Sequence, residues 1–335
     1  MRDSLDAAGG GAHRLPRVAV TRPTLPGAGL ERLGAQVDLV RWQTAASPPR
    51  EALVELCSSA AALLCLNTER IDGALLDACP DLRVVSNVAV GTDNLDIPAL
   101  TARGIPAGNT PGVLTETTAD LAWALILATA RRLVEADRYV RSGEWTAINF
   151  DTVLGVDVHG ATLGIVGYGA IGRAVARRAQ GFGMRVIHNS RRRADDELSH
   201  WTPLDDLLRE ADVVSLHTPL TEETRGLIGA AQLALMKRSA ILVNTSRGPV
   251  VDQAALYDAL AAGRLFAAGL DVMAVEPVPS SEALLALPNC IVLPHIGSGT
   301  LATRSQMVDL AVDNVLAGLA GKRLPHCVNP EVYAS

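Results

Sequence analysis

The 335-residue sequence has no stretch of 18 uninterrupted apolar residues, so nothing in it reads as a membrane-spanning helix. Its opening, MRDSLDAAGGGAHRLP, lacks an apolar h-region, which argues against a secretory signal; residues 1–15 are expected to form a flexible tail. Cysteine is sparse. Cys57, Cys65, Cys79, Cys290 and Cys327 are odd in number, scattered and mostly inside apolar runs, which points to reduced core residues in a cytoplasmic protein rather than a disulfide framework. Neither C-x-x-C nor H-E-x-x-H occurs, and His188, His200 and His217 fall in separate elements, so no metal site is expected. Excess positive charge is missing too. A formal charge of -6, with 48% hydrophobic and 20% charged residues, describes an ordinary globule and argues against a nucleic-acid or membrane-surface partner.

The length suits two domains of roughly 150 residues each. From Arg17 short apolar runs alternate with helix-like segments (RVAVTRP, QVDLVRW, AALLCLN, LRVVSNVAV, GIPAGNT), the signature of a parallel sheet flanked by helices. TTADLAWALILATARRLVEADRYVRSGEW then keeps apolar residues at helical spacing for more than 20 residues, with Gly143 near its end, and predicts one long spacer helix. A second alternating series follows: TLGIVGYGAIG, RVIHNS, ADVVSLHTPL, AILVNTSRG, FAAGLDV and CIVLPHIG. The segment from Thr300 to Asn314 looks helical and is too short to be a domain. The expected organisation is therefore α/β, with two doubly wound parallel-sheet domains: residues 16–112 and 298–330 form a discontinuous substrate domain, and residues 113–297 an inserted cofactor domain. Hinges are expected near Pro111 and Gly297.

The strongest local signal is GIVGYGAIGRAVARRAQGFGMRVIHNSRRR. Gly167, Gly169 and Gly172 form G-x-G-x-x-G directly after a predicted strand and at the start of a predicted helix. Glycine there permits a tight turn, close backbone approach to a pyrophosphate and close helix-on-strand contact, so the pattern predicts dinucleotide binding. Such units carry an acid at the end of the second strand, where it accepts hydrogen bonds from a ribose 2′-hydroxyl. Here Asn189 and Ser190 stand at that place, followed by Arg191, Arg192 and Arg193. A carboxylate would repel a 2′-phosphate, whereas an arginine fork binds it through charge-assisted hydrogen bonds. NADP(H) is accordingly expected over NAD(H), with Ser190, Arg191 and Arg192 at the phosphate and Arg193 as a bystander. The alternative is a solvated basic turn.

VNTSRGPVVD, GLDVMAVEPVP and LPHIGSGT lie at ends of predicted strands in the second domain, the edge where open α/β sheets bind ligands. They contribute Arg247, Glu276 and His295. Singly, each has a plain structural reading as a surface ion pair, a solvated loop acid or a satisfied histidine.

Together with the glycine loop these motifs resemble the D-isomer-specific 2-hydroxyacid dehydrogenases, over nearly the whole chain from about Arg17 to Asn329. LLCLNTERID, NVAVGTDNLD, NTPGVLTETTADLAWALIL and LHTPLTEETRGLI most resemble the glyoxylate and hydroxypyruvate reductase branch. The resemblance implies a flavodoxin-like substrate domain, a Rossmann cofactor domain and an active site in the cleft between them. The implied chemistry is reduction of a short 2-keto acid to the D-2-hydroxy acid, with domain closure during turnover. His295 as imidazolium would give the proton to the carbonyl oxygen; Glu276 would hold the other ring nitrogen and keep the acid form populated; Arg247 would fork onto the carboxylate. By the same resemblance the amides of Val90 and Gly91, with Asn67 and Ser298, serve the substrate. Thr118, Tyr168, Ala170, Ile171, Thr218, Pro219, Thr224, Thr245, Ser246, Asp271 and Gly297 match cofactor positions. Helix-cap or turn chemistry remains open for Thr118 and Thr224.

The chain departs from that branch at Asn67, Thr92, Ile148 and Gly299. Ile148 stands where relatives often place a tryptophan that reaches the partner subunit's site. Val90 occupies the place of the lysine in phosphonate-oxidising relatives, which discounts phosphite. Asp93 and Asp96 are better explained by turn chemistry than by calcium. The family also implies a homodimer, and the nearly contiguous apolar residues Leu121, Ala122, Trp123, Leu125, Ile126 and Leu127 suggest a helix buried on two sides. Two other readings remain: an NAD-dependent 3-phosphoglycerate dehydrogenase relative, and a dinucleotide-sensing corepressor.

Overall fold

The computed structural model describes residues 15–193 and 195–334. The expected tail lies, apart from Leu15, outside the described residues. The chain divides into two compact units, one running to Pro111 and resuming at Arg304, the other spanning Gly112–Thr303.

In the first unit β1 (Arg17–Val20), β2 (Asp38–Arg41), β3 (Ala62–Cys65), β4 (Val84–Asn87) and β5 (Ala107–Gly108) form a parallel sheet in the order β2-β1-β3-β4-β5. That is the flavodoxin-like order. Alternating strand residues face opposite sides. Leu63 and Cys65 meet Leu53 of α2 (Arg50–Cys57), Leu75 of α3 (Gly73–Ala78) and Leu100 of α4 (Ile97–Ala102). The other face takes α1 (Gly29–Gly34) and the returning C-terminal helix. There Ser86 donates to the Ala311 carbonyl at 2.9 Å, and a Cβ on Gly318 would stand 2.6 Å from Val84.

The second unit begins with α5 (Thr115–Ala130) and α6 (Leu133–Arg141). These replace the single long helix expected from the sequence. Arg132 is left-handed (φ 51°), and the Val156 N–H donates to the Ala130 carbonyl at 2.9 Å, satisfying the end of α5 where the chain turns. Within its own unit α5 packs on α7, β10 and β11. Trp123 stacks on Phe182 with centroids 4.6 Å apart and donates to the Val175 carbonyl at 3.0 Å.

Seven parallel strands follow: β6 (Thr162–Val166), β7 (Arg185–Asn189), β8 (His200–Trp201), β9 (Val213–Leu216), β10 (Ile241–Asn244), β11 (Ala267–Leu270) and β12 (Cys290–Val292). Their order is β12-β11-β10-β9-β6-β7-β8. Counted from the first strand of the unit, this is the 3-2-1-4-5-6 dinucleotide-binding order with a seventh strand added. Leu163 and Ile165 face α5 and α7 (Ala170–Ala179), while Val214, Leu242 and Leu270 face α8 (Leu204–Glu210), α9 (Ala230–Leu235) and α10 (Gln253–Ala261). At Gly164 a Cβ would stand 2.6 Å from Leu207, so α8 seats on β6 because that residue has no side chain. The last helix, α11 (Leu301–Leu319), starts in this unit, where the Thr117 and Thr303 hydroxyls share a hydrogen bond of 2.6 Å, and continues into the first.

Candidate functional site

In the second unit the strand order reverses between β6 and β9, and the glycine loop sits at the carboxyl end of that pair. Gly167 takes φ +98°, and a Cβ on it would stand 2.6 Å from the His217 carbonyl carbon and from the Thr218 nitrogen. At Gly172 a Cβ would stand 2.4 Å from the Gly167 oxygen, so this residue brings α7 against the loop. Gly169 differs. Nothing lies within 4 Å of its would-be Cβ, and it is exposed at the N-terminus of α7, which leaves backbone open to an approaching anion. The Thr218 Oγ1 beside this turn is buried without a hydrogen-bond partner among the described residues. An open glycine cradle and an orphaned hydroxyl at the switch point fit a dinucleotide.

Tyr168 points inward. Its ring stacks on His188 at 3.9 Å, and its hydroxyl donates to Asp196 at 2.9 Å. Burial and the adjacent Asp196 carboxylate push the Tyr168 phenol up to about 12. Arg173 covers the ring at 4.7 Å and pairs with Asp196 at 2.6 Å. Arg173 and Asp196, neither singled out in the sequence, thereby tie α7 to the segment after the arginine turn. In that turn Ser190 donates to the Arg192 carbonyl at 2.7 Å, and Arg193 lies 4.3 Å over the Trp201 ring, whose Nε1 donates to the Ser190 carbonyl at 3.0 Å. Arg191 and Arg192 are exposed, and among the described residues neither has an ion-pair partner.

The remaining candidate cofactor positions separate into engaged and available groups. The Thr224 hydroxyl closes its own turn, donating to the Pro219 carbonyl at 2.7 Å and accepting from the Thr221 N–H at 2.8 Å. Ser246 donates to Asn244 at 2.8 Å. Thr245 lies 3.3 Å from Nδ1 of His217, whose Nε2 is 2.9 Å from the Ser215 hydroxyl; burial pushes this imidazole down to about 4, so it is neutral near neutral pH. Thr118, Asp271 and Gly297 converge: a Cβ on Gly297 would stand 3.3 Å from Asp271 Oδ2 and 3.4 Å from Thr118 Cγ2.

Asp271 organises the loop after β12. Its carbonyl accepts from the His295 N–H at 3.0 Å and its carboxylate from the Ile296 N–H at 2.7 Å. Burial raises this carboxyl despite the amides that favour its charged form. His295 itself is left-handed (φ 54°), a conformation uncommon for a residue with a side chain. Its Nδ1 meets Glu276 Oε2 at 2.7 Å, while Oε1 accepts from the Met273 N–H at 2.9 Å. Burial would raise the Glu276 carboxyl, but the His295 bond, the Met273 amide and the Arg247 charge hold it below the ordinary glutamate range. The Nε2 of His295 has no partner among the described residues.

Arg247 follows β10, with Nη1 donating to the Ser246 carbonyl at 2.8 Å. The neighbouring Gly248 is required by space, since a Cβ would fall 1.9 Å from the Met273 carbonyl carbon. The turns after β10 and β11 are thus in backbone contact. Arg247, Glu276 and His295 come from the ends of three successive strands, and the arrangement offers an ion-paired imidazole for proton transfer and a guanidinium for an anion.

In the first unit Asn67, Val90 and Gly91 stand at the carboxyl ends of β3 and β4, all half-buried. Two residues missed in the sequence connect these loops. Asn87 donates to the Gly91 carbonyl at 2.9 Å and to Asn94 at 3.0 Å, and Asn94 donates to the carbonyls of Leu66 (3.1 Å) and Glu69 (3.0 Å). Glu69, buried, accepts from Thr21, Leu66 N–H and Arg22. Asp96 caps α4 through the Ala99 N–H at 3.0 Å. Ser298 is half-buried, with its carbonyl accepting from Thr300. No group of His, Cys, Asp or Glu among the described residues could hold a metal ion.

Residues 123–297 match the family described as "D-isomer specific 2-hydroxyacid dehydrogenase, NAD binding domain". A glyoxylate reductase of Korarchaeum cryptofilum is 51% identical over 322 residues, 95% of this chain and 97% of that protein. Glyoxylate/hydroxypyruvate reductase B of Escherichia fergusonii is 48% identical over 313 residues, 92% of this chain and 96% of that protein. Among solved structures, the NADPH-dependent glyoxylate/hydroxypyruvate reductase of Sinorhizobium meliloti, in complex with NADP and malonate, superposes with a TM-score of 0.83 at 34% identity, covering 94% of this chain and 98% of that one. The chain therefore belongs to the D-isomer-specific 2-hydroxyacid dehydrogenases and is an NAD(P)-dependent enzyme of that family.

Proposed function

We propose that this enzyme reduces glyoxylate or hydroxypyruvate to the D-2-hydroxy acid with a preference for NADP(H), and that His295 is the proton donor. The observation that carries the reaction is the 2.7 Å pair of His295 and Glu276 at the ends of adjacent strands, with an Nε2 that has no partner among the described residues and can transfer a proton. The bound nicotinamide cofactor supplies the hydride. His295 Nε2 gives its proton to the carbonyl oxygen of the keto acid. Glu276 fixes the ring through Nδ1–H and opposes its positive charge. Arg247 binds the substrate carboxylate through its planar fork, and the amides of Val90 and Gly91 are assigned to the same group, with Asn67 and Ser298 as further substrate residues.

Gly167, Gly169 and Gly172 receive the pyrophosphate, with the Tyr168–Ile171 turn around it. Thr118, Thr218, Pro219, Thr245 and Asp271 are assigned to the cofactor, with Asp271 near the nicotinamide carboxamide. The NADP(H) preference rests on Arg191 and Arg192, exposed and without ion-pair partners among the described residues. Residues 16–112 and 298–330 are assigned to the substrate, and residues 113–297 to the cofactor. A homodimer is supported by the segment after α6, where Trp145 (56%), Ile148 (86%) and Phe150 (101%) are far more exposed than apolar side chains of a lone subunit need to be. Five free cysteines support a reducing compartment such as the cytoplasm.

The test is initial rate with NADPH and NADH, with glyoxylate and hydroxypyruvate, on the wild type and on Arg191→Ala with Arg192→Ala. A preference for NADPH that collapses in the double variant through a raised cofactor KM supports the assignment. Equal use of NADH by the wild type refutes it.

A further inference from the structure

The Val90–Gly91 turn is held from behind. In a trans peptide the carbonyl and the following N–H point in opposite directions, so fixing one aims the other. The Thr110 N–H donates to the Ala89 carbonyl at 2.9 Å and thereby orients the Val90 N–H; the Asn109 side-chain amide donates to the Val90 carbonyl at 2.9 Å and orients the Gly91 N–H. Among the described residues, neither the Val90 nor the Gly91 amide has an acceptor. Two oriented donors without acceptors, in a loop at a sheet's carboxyl edge, make an anion cradle.

Asn109 can aim a peptide because its own backbone is clamped. Its N–H donates to the His326 carbonyl at 3.1 Å, and its carbonyl accepts from Asn314 at 3.1 Å. Asn314 is fully buried and accepts from the His326 N–H at 3.0 Å, and the preceding Gly108 leaves room for it, since a Cβ there would fall 2.6 Å from Asn314 Nδ2. Thr110 acts through its backbone. Asn109 is therefore the one side chain of this pair whose chemistry can be changed.

We infer that Asn109 is a positioning residue for substrate binding: its Nδ2 fixes the Val90–Gly91 peptide so that the Gly91 N–H is presented to the keto-acid carboxylate. The inference rests on the proposed assignment of that loop to substrate. Asn109→Asp keeps the side-chain shape but sets an acceptor against the Val90 carbonyl, and the repulsion turns the peptide. The KM for glyoxylate rises by about tenfold or more, the loss of a hydrogen bond to a charged group, with kcat less affected and the KM for NADPH unchanged. As pH falls from about 8 to about 5 the new carboxyl begins to protonate and donates again, so the ratio of variant to wild-type KM shrinks. Asn109→Ala, which has no such proton, raises KM without this recovery. A merely structural role would move kcat and both KM values together and show no recovery specific to the acid.

Hydrogen exchange of residues 88–93 in the wild type, with and without oxamate, separates the two ideas. Protection by oxamate combined with an unmoved glyoxylate KM in both variants overturns the role of Asn109 and leaves the loop assignment standing. No protection overturns the loop assignment, and the role of Asn109 with it.

Discussion

Replacing Glu276 by glutamine removes one negative charge while leaving the geometry around His295 nearly intact. The side-chain carbonyl of glutamine still accepts from the Met273 N–H or from His295 Nδ1–H, so what is lost is the charge assistance in a 2.7 Å bond. Hydrogen bonds to charged groups contribute about 1.5–3 kcal/mol. Here the side chains of His295 and Glu276 are 32% and 29% exposed, and solvent screening reduces that to about 1–2 kcal/mol. The expected loss in kcat for glyoxylate reduction is therefore roughly 5- to 30-fold at neutral pH. The direction of the reaction gives the sharper test. Glu276 is held below the ordinary glutamate range because the His295 bond, the Met273 amide and Arg247 outweigh its burial, so it is anionic near neutral pH. Its charge assists the ring that gives up a proton in reduction, whereas oxidation of the hydroxy acid starts from the neutral ring, so Glu276→Gln slows reduction more than oxidation. A kcat for reduction within about twofold of wild type would overturn this account.

Further outcomes follow from other parts of the molecule. Gly167→Ala forces a Cβ to within 2.6 Å of the His217 and Thr218 backbone at φ +98°; it should cost about 1–3 kcal/mol in backbone strain alone, lower Tm and abolish NADPH binding by calorimetry. Asp212 accepts from Lys237 at 2.7 Å and from the Thr162 N–H at 2.9 Å, and these partners hold its carboxyl below the ordinary aspartate value although burial opposes them. Its contribution to stability is complete above about pH 4 and is lost as pH falls through the depressed folded-state value, so Asp212→Asn should flatten the acid limb of Tm against pH; an unchanged slope contradicts this. If the proposed homodimer forms through this exposed segment, replacing Trp145, Ile148 and Phe150 together by serine should halve the molar mass measured by light scattering. A variant that keeps the wild-type mass places the subunit contact elsewhere.

Periodicity and glycine chemistry made most of the fold legible in the sequence. Parallel strands buried on both faces read as short apolar runs, and the G-x-G-x-x-G loop reads as a strand-to-helix turn in which Gly167 and Gly172 answer close contacts and Gly169 leaves backbone open. The two-residue β8 could not be read that way, being too short for a pattern. The break between α5 and α6 was also hidden, since helical spacing continues through Arg131 and Arg132; the turn is stabilised by residues near 156, a contact that no local pattern encodes. The same holds for the packing of α5, where Ala122, Leu125 and Ile126 are buried against α7 and the sheet of the same unit. For the candidate site, residue types are legible in the chain: an arginine, an acid and a histidine at strand ends, and arginines where an acid is usual. Tertiary structure alone decided which groups are engaged and which remain available. Thr224 is occupied with its own turn while the Thr218 hydroxyl has no partner among the described residues, Tyr168 turns inward onto His188, and Asn109 reaches the Val90 carbonyl. The physical reason is that hydrogen bonds and close packing act between groups distant in the chain, and their donors, acceptors and spaces exist only once the strands have been brought side by side.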